Sequence, residues 1–186
     1  MCIQKDTYLM IKIDFDDTYD LYECGENLSF ITFFTTLFDN SKLLLKVIIA
    51  PLNNPLLPNV FNLSFGPMME NGDINDTIKI KHKNTNKVFS TIIFYSLTFI
   101  KNNESISIGV DGSNDARAYL YHRMFISNKD YLKEYFDTIG IDWYVRLMRN
   151  NEIECDATGY AFFKPKPEPF DYLRKSTDLY RYYIFK

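Results

Sequence analysis

Residues 28–49, LSFITFFTTLFDNSKLLLKVII, decide which fold the sequence predicts. Residues 28–38 are rich in Phe, Ile and Thr and are apolar on both alternating sets, which is typical of a buried strand. The tetrapeptide Asp39-Asn40-Ser41-Lys42 has the chemistry of a turn, and residues 43–49 are apolar again. The stretch therefore predicts a hairpin of two buried strands.

The period of the apolar residues predicts further elements on both sides of this hairpin. Strands are predicted over 8–13, 60–65, 77–81, 105–110, 143–148, 153–163 and 179–185. The period becomes helical over 85–100, and further helices are predicted over 112–125 and 130–136. Residues 164–169, KPKPEP, are predicted to form an extended, polyproline-like connector.

These elements together predict an α+β fold. We expect a mostly antiparallel, twisted sheet of about six to eight strands, with two main helices packed on one face. The whole chain, 1–186, is expected to form a single domain, in which a Pro-linked C-terminal strand within 164–186 packs back on the rest.

The composition excludes several classes of protein. Of 186 residues 46% are hydrophobic and the net charge is −3, which supports a real core and gives no general attraction to nucleic acid or anionic membranes. The longest apolar stretch, 89–100, is about half a membrane span. We therefore expect no membrane partner and disfavour nucleic acid.

The cysteines and histidines are too few and too scattered for a metal or disulfide framework. The cysteines are Cys2, Cys24 and Cys155, no Cys-x-x-Cys occurs, and only two histidines are present. The N-terminus lacks the basic region and apolar run of a secretory signal. The expectation is a reduced, cytoplasmic protein with no cofactor and no metal.

The middle half of the chain carries four motifs: the strand FNLSFG at 61–66, the segment 74–76, the helix KVFSTI at 87–92 and GSNDARAYLY at 112–121. Together they resemble a family of uncharacterised proteins common in Bacteroidota. The last stretch departs from the family pattern at Asn114 and Tyr119, where Thr and Arg are usual. The resemblance implies a bacterial protein with an α+β fold and implies no reaction.

The start of the second predicted helix is a candidate anion or partner site. Gly112-Ser113 joins a strand to the helix, Ser113 suits the N-cap, and Arg117 follows one turn later. Arg117 and Tyr121 share a helix face, while Arg123 points elsewhere. Because an acidic residue in the first turn already complements the helix dipole, a capped structural helix is favoured over an anion site.

The segment Asp14-Phe15-Asp16-Asp17-Thr18 offers an enzymatic alternative. It matches the Asp-x-Asp-x-Thr signature of haloacid-dehalogenase-like phosphatases, in which the residues at the positions of Asp14 and Asp16 act as nucleophile and acid/base beside magnesium. That family threads a doubly wound parallel sheet, whereas here hairpin-like strands and three prolines follow the motif. The favoured interpretation is a solvated acidic loop.

The C-terminal segment 172–183 interleaves basic residues with tyrosines, a composition that can stack on single-stranded nucleic acid. Alternation over 180–185 instead favours a strand added to a sheet edge.

The first hypothesis is a non-enzymatic protein-interaction module, with an accessory, defence or toxin–antitoxin-like role, that binds a protein partner or forms a homo-oligomer. The alternatives are a magnesium-dependent phosphatase using Asp14 and Asp16, and a nucleic-acid or nucleotide binder using Arg117 and Arg123. We expect the exposed patch among the tyrosines that follow Ile13 and those of the last strand.

Overall fold

A computed structural model describes residues 10–75, 78, 80–103, 105–112 and 114–186. Eight strands form one sheet in the order β1-β2-β3-β4-β5-β8-β6-β7. The strands are β1 (Glu23–Cys24), β2 (Phe30–Thr36), β3 (Lys42–Pro51), β4 (Val60–Pro67), β5 (Ser107–Asp111), β6 (Thr138–Tyr144), β7 (Lys164–Pro169) and β8 (Tyr182–Phe185). Among these described strands only β4 and β5 pair in parallel. The mostly antiparallel α+β fold is confirmed.

Three helices cover one face of the sheet: α1 (Thr85–Asn102), α2 (Asp115–Ser127) and α3 (Lys129–Leu132). The predicted stripe of α1 is buried against β4, where Phe61 packs on Phe99 at 5.7 Å and Phe65 on Phe89 at 5.8 Å. Because β4 and β5 are parallel, their connection must cross over the sheet, and α1 is that crossover.

The hairpin predicted over 28–49 is confirmed as β2 and β3, which pair from Phe30↔Ile48 to Thr36↔Lys42. Phe33 and Leu45 are directly opposite each other and fully buried under the helices. Asn40 takes a positive φ of 65° in the turn, a conformation that Asn tolerates. The sequence therefore predicted both strands and their turn.

The last strand lies inside the sheet, so the prediction of an edge position was wrong. β8 pairs with β5 on one side and with β6 on the other. Tyr180 and Tyr182 lie against Gly140 and Gly109, where a Cβ atom would collide with their rings. The two glycines thus provide the space in which two tyrosines are buried.

Residues 164–169 form a strand, so the predicted polyproline connector was also wrong. β7 pairs with β6 along its whole length and is an edge of the sheet. Proline has no backbone N–H, so the residues of β7 that can donate to β6 are Lys164, Lys166 and Glu168. The backbone nitrogens of the alternating prolines point to the outer edge of the sheet. That edge offers no amide donor to a further strand.

Two further predicted strands, 8–13 and 77–81, lie partly outside the described residues, which do not include 8, 9, 77 and 79. Residues 10–13, 78, 80 and 81 are not in strands. No helix among the described residues is both long and apolar enough to cross a membrane.

Opposite the helices, the sheet carries a smaller apolar cluster. Ile141, Tyr182 and Ile184 face this side, and Leu57 from the loop between β3 and β4 covers them. Alternation along β8 places Tyr183 and Phe185 on the helix side. No described helix lies on this second face of the sheet.

Candidate functional site

A cleft opens where the two parallel strands separate. β4 and β5 pair over only three residues, up to Asn62↔Gly109, after which β4 continues beside β3 while β5 ends at Asp111. The first turns of α2 lie beside this gap. A cavity of about 170 Å³ results, lined by Asn62, Leu63, Ser64, Phe65, Asp111, Arg117, Leu120 and Tyr121.

Partly buried hydrogen bonds fix the polar floor of the cleft. The Tyr182 hydroxyl donates to Asn62 Oδ1 at 3.0 Å, and Asn62 Nδ2 donates to Ser64 Oγ at 2.9 Å. Burial, and next the carboxylate of Asp111, raise the pKa of Tyr182 well above its usual range, so the phenol stays a donor. The lining also carries one carboxylate, on Asp111, and one guanidinium, on Arg117. The cleft can therefore contact a small polar molecule with groups of both signs.

The predicted residues of the α2 start are only partly brought together. Arg117 and Tyr121 both line the cleft, as their four-residue spacing predicted, whereas Arg123 does not line it. Ser113 lies outside the described residues, and the N-cap of α2 is Asn114, whose Oδ1 accepts from the backbone N–H of Arg117 at 2.9 Å. The predicted cap was thus one residue too early. Asn62, Ser64 and Asp111 were not predicted, because they come from strands that are distant in sequence.

Gly112 has a packing role. A Cβ atom at this position would lie 3.1 Å from the Ala118 Cα and 3.2 Å from the Tyr183 ring. The absence of a side chain lets β5 turn closely into α2, and this accounts for the glycine without a ligand.

A second feature is an arm, residues 145–163, which joins β6 to β7. The chain makes two successive turns here, so that the stretch around Glu154 lies between the stretches that precede and follow it. The Glu154 N–H donates to the Arg146 carbonyl, and the Phe162 N–H donates to the Glu154 carbonyl, both at 2.8 Å. Asn151, with φ 65°, and Gly159, with φ 87°, supply the positive-φ positions of the two turns. The predicted strands 143–148 and 153–163 were therefore largely wrong: beyond Trp143 and Tyr144 of β6, these residues form only the isolated bridges Leu147–Ile153 and Cys155–Ala161, and the second turn falls inside the second predicted strand.

Ion pairs hold the arm in this shape. Glu154 accepts from Lys164 Nζ at 2.8 Å and from Arg146 Nη2 at 3.0 Å. These cations, Lys164 first, hold the pKa of Glu154 below its usual value. Asp156 bonds Thr158 through both the backbone N–H, at 2.8 Å, and the hydroxyl, at 2.6 Å. The arm is therefore an ordered element.

One side of the arm is apolar and uncovered. Leu147 lies opposite Ile153, and Cys155 lies opposite Ala161, so alternation puts these residues and Phe163 on the sheet face without helices. We call Leu147, Ile153, Cys155, Ala161 and Phe163 the arm face. Leu147 is 64% exposed, Phe163 58% and Ile153 45%. Exposed apolar side chains that cluster on an ordered element are typical of a binding surface.

Comparison with known proteins places these features in a family. A family model described as "Family of unknown function (DUF6934)" matches residues 17–163. The chain belongs to the DUF6934 family. The match runs from before β1 to the end of the arm and does not include β7 and β8. No curated protein and no solved structure matches the chain.

In this DUF6934 protein the acidic N-terminal segment is bound to the helices. Backbone N–H groups of Asp14 and Tyr19 donate to Ser90 Oγ and Thr91 Oγ1 of α1, each at 2.9 Å. Asp17 pairs with Lys87 Nζ at 2.8 Å. The segment 10–22 is therefore a strap across the helical layer; Ile11 and Ile13 are buried, while Asp14, Asp16 and Asp17 stay exposed, as expected for a solvated acidic loop.

The strap does not place Asp14 as the phosphatase alternative requires. Asp14 follows an irregular segment and not a strand of a parallel sheet, and its Oδ1 accepts from the backbone N–H of Asp16 at 3.0 Å. Phe15 between them packs on Phe94, Tyr131 and Tyr135. The described residues hold no group of three or more His, Cys, Asp or Glu side chains placed to bind a metal ion.

The tyrosines of the last strand are not available for stacking on nucleic acid. Tyr180, Tyr182 and Tyr183 are all buried. Tyr183 donates to the Ala118 carbonyl at 2.8 Å, and Tyr180 donates to Glu168 Oε1 at 2.8 Å. The exposed patch expected in this strand is therefore not there, whereas Tyr22 of the other expected stretch is 66% exposed; the arm of this DUF6934 chain exposes further apolar side chains.

Proposed function

We propose that this chain is a protein-interaction module and that the arm is its contact element. The observation that carries the proposal is the combination of internal order and uncovered apolar surface in residues 145–163. A bacterial origin and a cytoplasmic location are part of the proposal and rest on the motif resemblance and the cysteine usage.

The order of the arm favours binding because little conformational entropy remains to be lost when a partner docks. Two turns, the Glu154 ion pairs and the Asp156 hydrogen bonds already fix its backbone. Leu147 and Phe163 can then dock onto a partner at a cost that comes mainly from their own side-chain entropy. A flexible loop of the same composition would bind more weakly.

The edges of the sheet are poor alternatives as interaction surfaces. At one edge the prolines of β7 leave no outward amide donor, and at the other edge β1 has only two residues. Strand addition by a partner therefore has little to pair with among the described edges. The arm face does not depend on free backbone groups and is the better candidate.

The proposal is tested by comparing the wild type with Leu147→Lys, which puts a charge at the most exposed large apolar side chain of the arm face. Leu173→Lys is the matched control, since Leu173 is more exposed still and lies outside the arm. Proteins captured from a lysate of the source organism are identified by mass spectrometry, purified, and titrated by calorimetry against all three variants.

We expect one partner whose affinity falls at least tenfold for Leu147→Lys and is unchanged for Leu173→Lys. Equal affinity for all three variants would show that the arm is not the contact element. Circular dichroism of each variant confirms that the fold is retained.

A further inference from the structure

The arm face also indicates which partner it fits. We infer that two copies of this chain pair through their arm faces around a two-fold axis. The inference rests on the proposed function of the arm and adds the identity of its partner. Three observations carry it: the area of the arm face, the balance of charges at the arm tip, and the blocked edges of the sheet.

The first observation is area. The exposed parts of Leu147, Ile153 and Phe163 amount to about 300 Å² of apolar surface. With the half-buried side chains of Trp143 and Val145 beside them, one copy can bury on the order of 500 Å². Two copies together reach about 1,000 Å², which is the lower limit for a specific interface. A self-contact therefore suffices, and its size predicts a reversible dimer.

The second observation is charge. Within the arm Glu154 is paired with Arg146, and Asp156 is held in its own turn, which leaves Arg149 and Glu152 at the first turn. Arg149 makes no ion pair with the described residues, and the Glu152 carboxylate accepts a hydrogen bond from Asn150 Nδ2 in its own turn. In a pairing whose two-fold axis passes beside the first turn, the Arg149 of each copy would lie toward the Glu152 of the other. The remaining charges of the arm thus complement themselves.

The third observation concerns the competing modes of self-association. Edge-to-edge pairing of two sheets requires free N–H groups, which the prolines of β7 do not supply. The helical face is occupied by α1, α2 and the strap. The helix-free face has no such covering layer among the described residues, and the arm face continues it.

The experiment measures self-association of the full chain by sedimentation equilibrium. We expect a monomer–dimer equilibrium with a Kd on the order of 10 µM. Leu147→Lys is expected to raise the Kd at least tenfold, and the control Leu173→Lys is expected to leave it unchanged. Arg149→Glu is expected to weaken the dimer, and Arg149→Glu combined with Glu152→Arg is expected to restore it, because the swap re-creates both pairs across the axis.

Two exposed cysteines provide an internal readout. Cys155 lies on the arm face, and Cys24 lies on β1 at the opposite edge of the sheet. With the other two cysteines replaced by Ser, each is reacted with a maleimide at low and at high protein concentration. We expect Cys155 to react more slowly as dimer forms and Cys24 to react at a constant rate.

The possible results separate this inference from the function on which it rests. A wild type that stays monomeric at about 200 µM, an unaffected Leu147→Lys dimer, or a Cys155 rate independent of concentration would overturn the pairing. If such a monomer still binds a captured protein that Leu147→Lys loses, the interaction module stands with a different partner. If it binds none, both proposals fail.

Discussion

Arg174 holds the C-terminal segment to the sheet, and its removal should destabilise the whole fold. Its side chain is 11% exposed, and Nη2 lies 2.9 Å from both carboxylate oxygens of Asp142. Nη1 lies 3.3 Å from Glu168, Nε donates to the Asp178 carbonyl, and the guanidinium stacks at 3.9 Å on the Tyr180 ring. These contacts connect β6, β7 and the segment that leads into β8.

The expected loss follows from these contacts. Breaking a fully buried charge network costs about 3–5 kcal/mol, but Asp142 and Glu168 are partly exposed and can be rehydrated, so their share is smaller. Loss of the stacking on Tyr180 adds about 1 kcal/mol. We expect Arg174→Ala to lower the free energy of unfolding by about 3 kcal/mol and Arg174→Lys, which keeps the charge without the planar fork, by about 1.5 kcal/mol.

Urea denaturation followed by the fluorescence of Trp143, the single tryptophan, measures this loss next to the network. With a slope of about 2 kcal/mol per M, the midpoint of Arg174→Ala should fall by about 1.5 M. Lys166→Ala is the control, because Lys166 is an exposed partner of Glu168 at 3.7 Å and should change the stability by less than about 0.5 kcal/mol. An Arg174→Ala midpoint equal to that of the control would refute the reasoning.

Three further perturbations follow from the buried contacts. Asn128→Ala removes the side-chain oxygen that accepts from the Ile13 N–H at 2.7 Å. We expect the free energy of unfolding to fall by about 2 kcal/mol and the Ile13 amide to exchange its hydrogen faster; unchanged exchange would contradict a docked strap. Gly140→Ala drives a methyl group into the Tyr180 ring and should cost about 1–3 kcal/mol, less in a Tyr180→Leu background; equal costs in both backgrounds would contradict the clash. Burial lowers the pKa of His122, while the backbone of Arg174 opposes the shift. As the pH falls, His122 therefore becomes protonated in the unfolded state before it does so in the folded state. The contribution of neutral His122 to the free energy of unfolding is complete above about pH 6.5 and is lost as the pH falls below that value. His122→Leu should flatten the profile of urea midpoint against pH below about 6.5, and an unaltered profile would assign the loss to other groups.

Much of the fold followed from local patterns. The hairpin of β2 and β3 and the long helix α1 each occupy one continuous stretch whose periodicity is visible without neighbours, whereas the parallel pairing of β4 with β5 was not predicted. The candidate sites followed less well. The spacing of Arg117 and Tyr121 predicted a shared face, but the cleft also needs Asn62 and Asp111, which only strand separation brings there.

The sequence by itself determined the elements that local periodicity and turn chemistry specify, and the tertiary structure decided where they lie and what covers them. Alternation predicted a strand near the C-terminus, but its place between β5 and β6 depends on pairing with residues far away in sequence. The burial of Tyr180 and Tyr182 depends on the space at Gly140 and Gly109. The arm is exposed for the converse reason, since no other described element packs on Leu147 and Phe163. Whether a side chain is buried depends on the residues that pack around it, and when these are distant in sequence, no local pattern predicts the burial.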